Sequence, residues 1–191
     1  MAIRSTFLAI MLATVTQSIL AQPTSPYTEL RAREIKALAP EQIRDLREAR
    51  GMGLSLPAEL NGAPGPLHVI ELRQALAITD EQASEIERIT VGMRARAKSL
   101  GEDIIRAEAA LDQAFKNGTP DEAAVGALTE RIGQLNGQLR AAHLNAHLQT
   151  KRVLTPVQLA AYDRARGYTE TNVQPARESS GQHGGGSHRH H

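Results

Sequence analysis

Two histidines in the second half of the chain are spaced for joint chemistry. His143 and His147 are four positions apart within a segment of helical apolar periodicity. On a helix this spacing puts both imidazole rings on one side, about 6 Å apart, where both can reach one metal ion. The alternative interpretation is a pair of histidines at the edge of the core that make ordinary hydrogen bonds.

A histidine and a carboxylate occur at another helical spacing earlier in the chain. His68 and Glu71 are three positions apart, so they share one side of a short predicted helix. Zn, Ni, Co and Cu ions all accept this combination of nitrogen and oxygen ligands. The alternative is a histidine in the first helical turn beside a surface carboxylate.

The order of the predicted helices brings these two pairs together. Segment 79–115 forms a long helix that leads away from His68, and segment 119–152 forms a second long helix that returns. The turn between them is short, so the two helices run antiparallel. The sequence therefore predicts a metal site at one end of the hairpin, formed by His68, Glu71, His143 and His147.

The C-terminal segment contains a third group of histidines among Gly and Ser residues. A flexible tail of this composition chelates Ni, Zn or Cu weakly and does not need to fold. A cloning tag is the alternative, but the run is interrupted, so we interpret it as native. The weak ligands of this predicted tail are His183, His188, His190 and His191.

Several classes of catalytic chemistry find no support in the sequence. There is no Cys, which excludes disulfides and thiolate metal sites. The Gly-x-Ser-x-Gly, phosphate-loop and His-Glu-x-x-His patterns are also absent. We predict a protein that is not an enzyme and uses no organic cofactor. The 22 basic and 21 acidic side chains nearly balance, so no basic excess attracts nucleic acid.

The N-terminus has the layout of a secretory signal peptide. Arg4 precedes a short apolar run at 7–15, and Ala21 supplies the small residue at the expected cleavage point. The apolar run is shorter than the ~20 residues of a membrane span. We predict export to the periplasm with no stable membrane span after cleavage. The expected organisation is a signal peptide at 1–21, a flexible lead at 22–33, a helical domain at 34–168 and a disordered tail at 169–191.

A five-residue phrase with helix-starting chemistry occurs three times. Each copy has an apolar residue, a small residue, a helix-starting pair and a Gln: Leu38–Gln42, Ile78–Gln82 and Leu154–Gln158. Thr79 and Thr155 are good N-caps, and a Gln three positions later completes a capping box. Together with the apolar periodicity, the breakers and the caps predict helices at 28–37, 41–50, 67–77, 79–115, 119–152 and 155–167.

These elements predict an all-α fold made of a long antiparallel helical hairpin with short flanking helices. Leu144 and Leu148 lie away from the main apolar stripe of the second long helix, so that helix packs against more than its hairpin partner. The short helices or a second subunit can cover them. We favour a homodimer.

The repeated phrase resembles the motif of the Spy/CpxP-like LTxxQ periplasmic family. The phrases Gly51–Gly53, Glu59–Gly62 and Pro64–Val69 look like its heavy-metal sensor and resistance branch. The resemblance covers about residues 34–168. It implies a bent helical hairpin, often a dimer, that uses early His and carboxylate ligands and a late His-x3-Met pair. This chain has His147 where that pattern has Met, which shifts preference away from Cu(I).

Two functional interpretations follow from this resemblance and from the candidate ligands. The first is a periplasmic heavy-metal-binding sensor or resistance protein of the envelope stress type, which would signal to an envelope sensor protein. The second is an ATP-independent holdase chaperone or stress-response modulator that binds unfolded client proteins. Metal binding by the chain without its tail histidines distinguishes them.

Overall fold

The computed structural model describes residues 25–169, which are all-α and contain no strand. The predicted signal peptide and the histidines of the predicted tail lie outside the described residues. A 3₁₀ turn at Glu29–Ala32 precedes six helices. Their bounds are α1 Pro40–Arg47, α2 Leu56–Glu59, α3 Pro66–Glu71, α4 Asp80–Lys116, α5 Glu122–Val153 and α6 Pro156–Arg166.

The antiparallel hairpin of α4 and α5 confirms the predicted architecture. The Thr79 hydroxyl accepts a hydrogen bond from the backbone N–H of Gln82, as the capping box requires. The start of α5 differs from the prediction, because Asp121 rather than Thr119 is its N-cap and accepts from the N–H of Ala124. The carboxylate also suits the positive end of the helix dipole.

Two of the predicted short helices are wrong in extent. The helix predicted at 28–37 is reduced to the 3₁₀ turn, and no described side chain in that turn is buried. The helix predicted at 67–77 ends at Glu71. After it the chain forms turns, and Ala77 adopts a left-handed φ of 47°. Ile78 then bonds back to the Arg73 carbonyl, so local turn geometry replaces the last predicted helical turns.

The core has two parts, one further along the hairpin and one at its base. The first joins α1 to α4 and α5, with Leu46, Leu100 and Leu139 buried. Gly101 permits the close approach of α1, since a Cβ there would lie 2.4 Å from the Leu46 carbonyl oxygen. The second part joins α3 and α6 to the start of α4, around Tyr162.

The two phrases that begin α4 and α6 contact each other through their glutamines. Gln82 Nε2 donates to Gln158 Oε1 at 2.9 Å, and Gln158 Nε2 donates to Gln82 Oε1 at the same distance. Gln82 Nε2 also donates to the Val153 carbonyl at the end of α5. Each Gln therefore caps its own helix and joins it to the other.

None of the helices in residues 25–169 is both long and apolar enough to cross a membrane.

Candidate functional site

A cavity of about 200 Å³ lies at the base of the hairpin, where the segment before α3 and α3 itself meet α4 and α5. His68 reaches it from α3, and His143 and His147 reach it from adjacent turns of α5. Gly65 and Met93 complete much of the remaining wall. The structure thus places three imidazoles from distant parts of the chain around one small space, which we call the histidine cavity.

His143 lines this cavity and has an unsatisfied ring nitrogen. The residue is only 5% exposed, and its Nε2 has no hydrogen-bond partner among the described residues. Burial lowers the pKa of His143, and the neighbouring His147 lowers it further. The ring is therefore held neutral, which is the form that binds a metal ion.

A hydrogen bond at Nδ1 fixes the His147 ring. Its Nδ1 lies 2.8 Å from the Ala63 carbonyl oxygen. Because that oxygen can only accept, Nδ1 carries the proton and Nε2 keeps its lone pair. The edge with Nε2 lies against Gly65, where a Cβ atom would be 3.0 Å from both Cε1 and Nε2.

A buried carboxylate lies directly behind these rings. Glu59, at the end of α2, is 5% exposed. Its Oε1 accepts hydrogen bonds from the hydroxyls of Tyr162 at 2.5 Å and Tyr168 at 3.1 Å, and its Oε2 accepts from the Gly65 N–H at 3.0 Å. The donors come from a loop and from the C-terminal helix, so Glu59 joins the two ends of the domain.

The hydrogen bonds around Glu59 decide its charge. Burial alone raises the pKa of a carboxyl, but bonds from Tyr162 and Gly65 and the nearby His68 together hold the pKa of Glu59 below its ordinary value. Burial raises the pKa of the Tyr162 phenol, and the Glu59 carboxylate raises it further. Glu59 is therefore ionised and Tyr162 is the donor.

The end of α6 is shaped so that its second tyrosine reaches the same carboxylate. Gly167 has a left-handed φ of 73° and ends the helix, a conformation that glycine adopts without steric cost. The turn leads Tyr168 back over the helix, where the Arg166 guanidinium lies 5.7 Å from the centre of its ring. This packing orders the residue that follows the helix.

Comparison with known proteins identifies the family of this chain. A family profile described as LTXXQ motif family protein matches residues 67–166, which is more than half of the chain and includes both glutamine-paired phrases. The chain belongs to the LTXXQ motif family. Proteins of this family are in general periplasmic stress proteins. No curated protein and no solved structure matches the chain.

Three of the four internal ligands predicted for this LTXXQ protein meet at the cavity, and one does not. His68, His143 and His147 all line it. Glu71 is exposed and lines a separate groove between α3 and α4, together with Glu87. The two residues lie on different sides of α3. His68 has its Nδ1 near Tyr162 and Glu59, whereas Glu71 borders the groove beside α4.

The sequence analysis missed the carboxylate that does adjoin the rings. Glu59 lies 3.5 Å from His68 Nδ1 through Oε1 and 3.7 Å from His147 Nδ1 through Oε2. His147, Tyr162 and Tyr168 are about 90 to 110 positions away from Glu59 in the chain, so no local spacing rule identifies them as its partners.

The donor set suits a transition metal, although the side chains are not arranged around one. Among residues 25–169, no group of three or more His, Cys, Asp or Glu side chains has a geometry that could hold a metal ion. His143, whose Nε2 has no partner among the described residues, and His147, whose Nε2 keeps a lone pair, nevertheless line the same cavity as His68. The residues present therefore fit an imidazole-ligated ion after side-chain rotation.

Proposed function

We propose that this LTXXQ protein is a non-enzymatic periplasmic stress protein of the Spy/CpxP type that binds a divalent transition-metal ion in the histidine cavity. The observation that carries this proposal is the buried, unpartnered Nε2 of His143, a residue that lines one cavity together with His68 and His147. A buried polar atom without a partner is unfavourable by about 1–3 kcal/mol, and a ligand in the cavity removes that cost.

The three rings have different freedom to reach an ion. His143 and His147 are buried, while the His68 side chain is 38% exposed. His68 therefore has room to rotate toward the two fixed rings. In this proposal an ion that enters from solvent meets His68 first and draws α3 onto α5. Binding to the folded chain then stabilises that contact by mass action.

A titration of the full chain tests the proposal, with the four predicted tail histidines replaced by Ser to remove weak chelation. We expect this chain to bind Zn²⁺, Ni²⁺, Co²⁺ or Cu²⁺ at one site in calorimetry. The substitution His143→Leu abolishes binding, and Glu71→Gln is the control that leaves it unchanged. Absence of binding in the tail-substituted chain contradicts the proposal.

A holdase chaperone is the second candidate, and the outer half of the hairpin supports it. From Glu122 to Gln134 no residue of α5 is buried, and Phe115 at the end of α4 is 57% exposed. A Cβ at Gly126, Gly133 or Gly137 would contact nothing within 4 Å. This surface could bind unfolded clients. The test is suppression of client aggregation by the wild-type chain and by Phe115→Ser. Suppression that persists in chelator and is weaker in Phe115→Ser supports this function. Equal suppression by the wild type and the variant contradicts a role for the surface.

A further inference from the structure

The protons around Glu59 can be assigned from the hydrogen bonds. Tyr162 has one hydroxyl proton, and it is donated to Glu59 Oε1. His68 Nδ1 lies 3.4 Å from the same hydroxyl oxygen and 3.5 Å from Glu59 Oε1. The Tyr162 hydroxyl oxygen and Glu59 Oε1 both act as acceptors toward His68, because the Tyr162 proton is already donated to Glu59. Nδ1 therefore carries the ring proton, and the neutral ring keeps its lone pair on Nε2.

The same tautomer is imposed on His147 by a different acceptor. The Ala63 carbonyl oxygen accepts from Nδ1 at 2.8 Å, and Glu59 Oε2 lies behind at 3.7 Å. Each carboxylate oxygen of Glu59 thus faces the Nδ1 atom of one of the two rings. A metal-binding histidine in a protein usually donates its other ring N–H to a carboxylate or a carbonyl, and this hydrogen bond orients the ring.

We propose that Glu59 is the positioning residue of the histidine cavity: it holds His68 in the tautomer that presents Nε2, supports His147, and is not itself a metal ligand. The inference rests on the metal-binding function proposed above and specifies its ligand chemistry. Tyr162, Tyr168 and the Gly65 N–H already occupy the carboxylate and keep it behind the rings. The donors left to the cavity are the imidazole nitrogens, with the Met93 thioether and the Ser55 hydroxyl also on its wall. Imidazole nitrogens favour Zn²⁺, Ni²⁺ and Cu²⁺ over Mg²⁺, Ca²⁺ and Mn²⁺.

The substitution Glu59→Leu separates a positioning role from a purely structural one. With the carboxylate removed, the Tyr162 hydroxyl is free to donate to His68 Nδ1, so that ring changes to the tautomer with its proton on Nε2. His147 keeps its tautomer, because Ala63 still accepts from it. Glu59→Gln is the conservative variant, since its amide oxygen can still accept from Tyr162 and His68.

Long-range ¹H–¹⁵N spectra of the metal-free, tail-substituted chain report each tautomer directly. We expect Nδ1–H for both His68 and His147, a change at His68 alone in Glu59→Leu, and no change in Glu59→Gln. A wild-type His68 with its proton on Nε2 overturns the inference. An unchanged His68 in Glu59→Leu does so as well.

The dissociation constant for Zn²⁺ gives the second measurement. We expect it to rise by about 10–100-fold in Glu59→Leu, the usual effect of losing a rear partner, and by less than about tenfold in Glu59→Gln. If Glu59 is instead a direct ligand, Glu59→Gln loses binding and the positioning role is wrong, a result that remains readable if Glu59→Leu does not fold. Failure of the wild-type chain to bind Zn²⁺, Ni²⁺ or Cu²⁺ contradicts the proposed function, whereas the tautomers are measured without metal.

Discussion

The hydroxyl of Tyr162 donates a 2.5 Å hydrogen bond to Glu59, although the two residues are 103 positions apart. This bond joins the C-terminal helix to the end of α2, immediately behind His68. It connects α6 to a carboxylate that faces two of the cavity histidines. The stability of α6 and the order of the histidine cavity therefore depend on the same buried group.

The first prediction concerns this bond. Tyr162→Phe leaves the ring in the core but removes the donor to Glu59, so we expect the free energy of unfolding to fall by about 1–3 kcal/mol. Glu59 keeps its bonds from Tyr168 and Gly65 and stays behind His68. Urea unfolding measures the loss of stability, and a Zn²⁺ titration of the same variant measures whether the histidine cavity still binds the ion. Loss of Zn²⁺ binding without loss of stability would contradict this account.

A second prediction uses the glutamine pair that joins the two phrases. Gln82→Ala and Gln158→Ala should each lower the free energy of unfolding by about 1–3 kcal/mol, because each removes the bonds between the two amides and the bond that caps its own helix. The double variant should lose less than the sum, with a coupling of about 0.5–3 kcal/mol. Gln42→Ala is the control, since Gln42 bonds only the N-cap of its own helix. Additive losses at Gln82 and Gln158 would mean that the pair does not act as a unit.

A third prediction tests the contact between Gly65 and the His147 ring. Gly65 has an ordinary φ of −76°, so alanine introduces no backbone strain. Its Cβ would be 3.0 Å from the His147 ring edge, and the ring must shift. We expect weaker Zn²⁺ binding with only a small change in melting temperature. Gly133→Ala, where the Cβ contacts nothing within 4 Å, should leave Zn²⁺ binding unchanged and add up to ~1 kcal/mol of stability.

A fourth prediction follows from the lowered pKa of His143. The unfolded chain takes up a proton there as the pH falls below the ordinary value of 6.5, whereas the folded chain resists it until a lower pH. The unfolded state then binds more protons, so the free energy of unfolding falls as the pH is lowered from about 7 to about 5. His143→Leu removes this contribution and should flatten the metal-free stability curve. Parallel curves for wild type and variant would show that His143 titrates normally.

Helix starts were the most predictable part of this fold. The three repeated phrases begin α1, α4 and α6, because in each a Gln three positions after the N-cap accepts from the N-cap backbone N–H, all within one turn. The segment 28–37 failed because its 3₁₀ turn contributes no buried side chain, and short helices in water depend on such packing.

The candidate site was predictable only where it depended on chain direction. Antiparallel long helices bring His143 and His147 back to His68, as the sequence indicated. Glu71 does not join them at the cavity, because residues three positions apart on a helix are still rotated by about 60° about its axis. In α3 that rotation is enough to place His68 at the histidine cavity and Glu71 at the groove beside α4. Glu59 depends on contacts from α6, which no sequence spacing reveals.

The most direct measurement is anomalous diffraction at the zinc edge from crystals of the tail-substituted chain grown with Zn²⁺. The account predicts one strong peak in the histidine cavity, bonded to Nε2 of His68, His143 and His147, with the Glu59 carboxylate still bonded to Tyr162. No peak in that cavity, with zinc only at surface carboxylates such as Glu71, would contradict it.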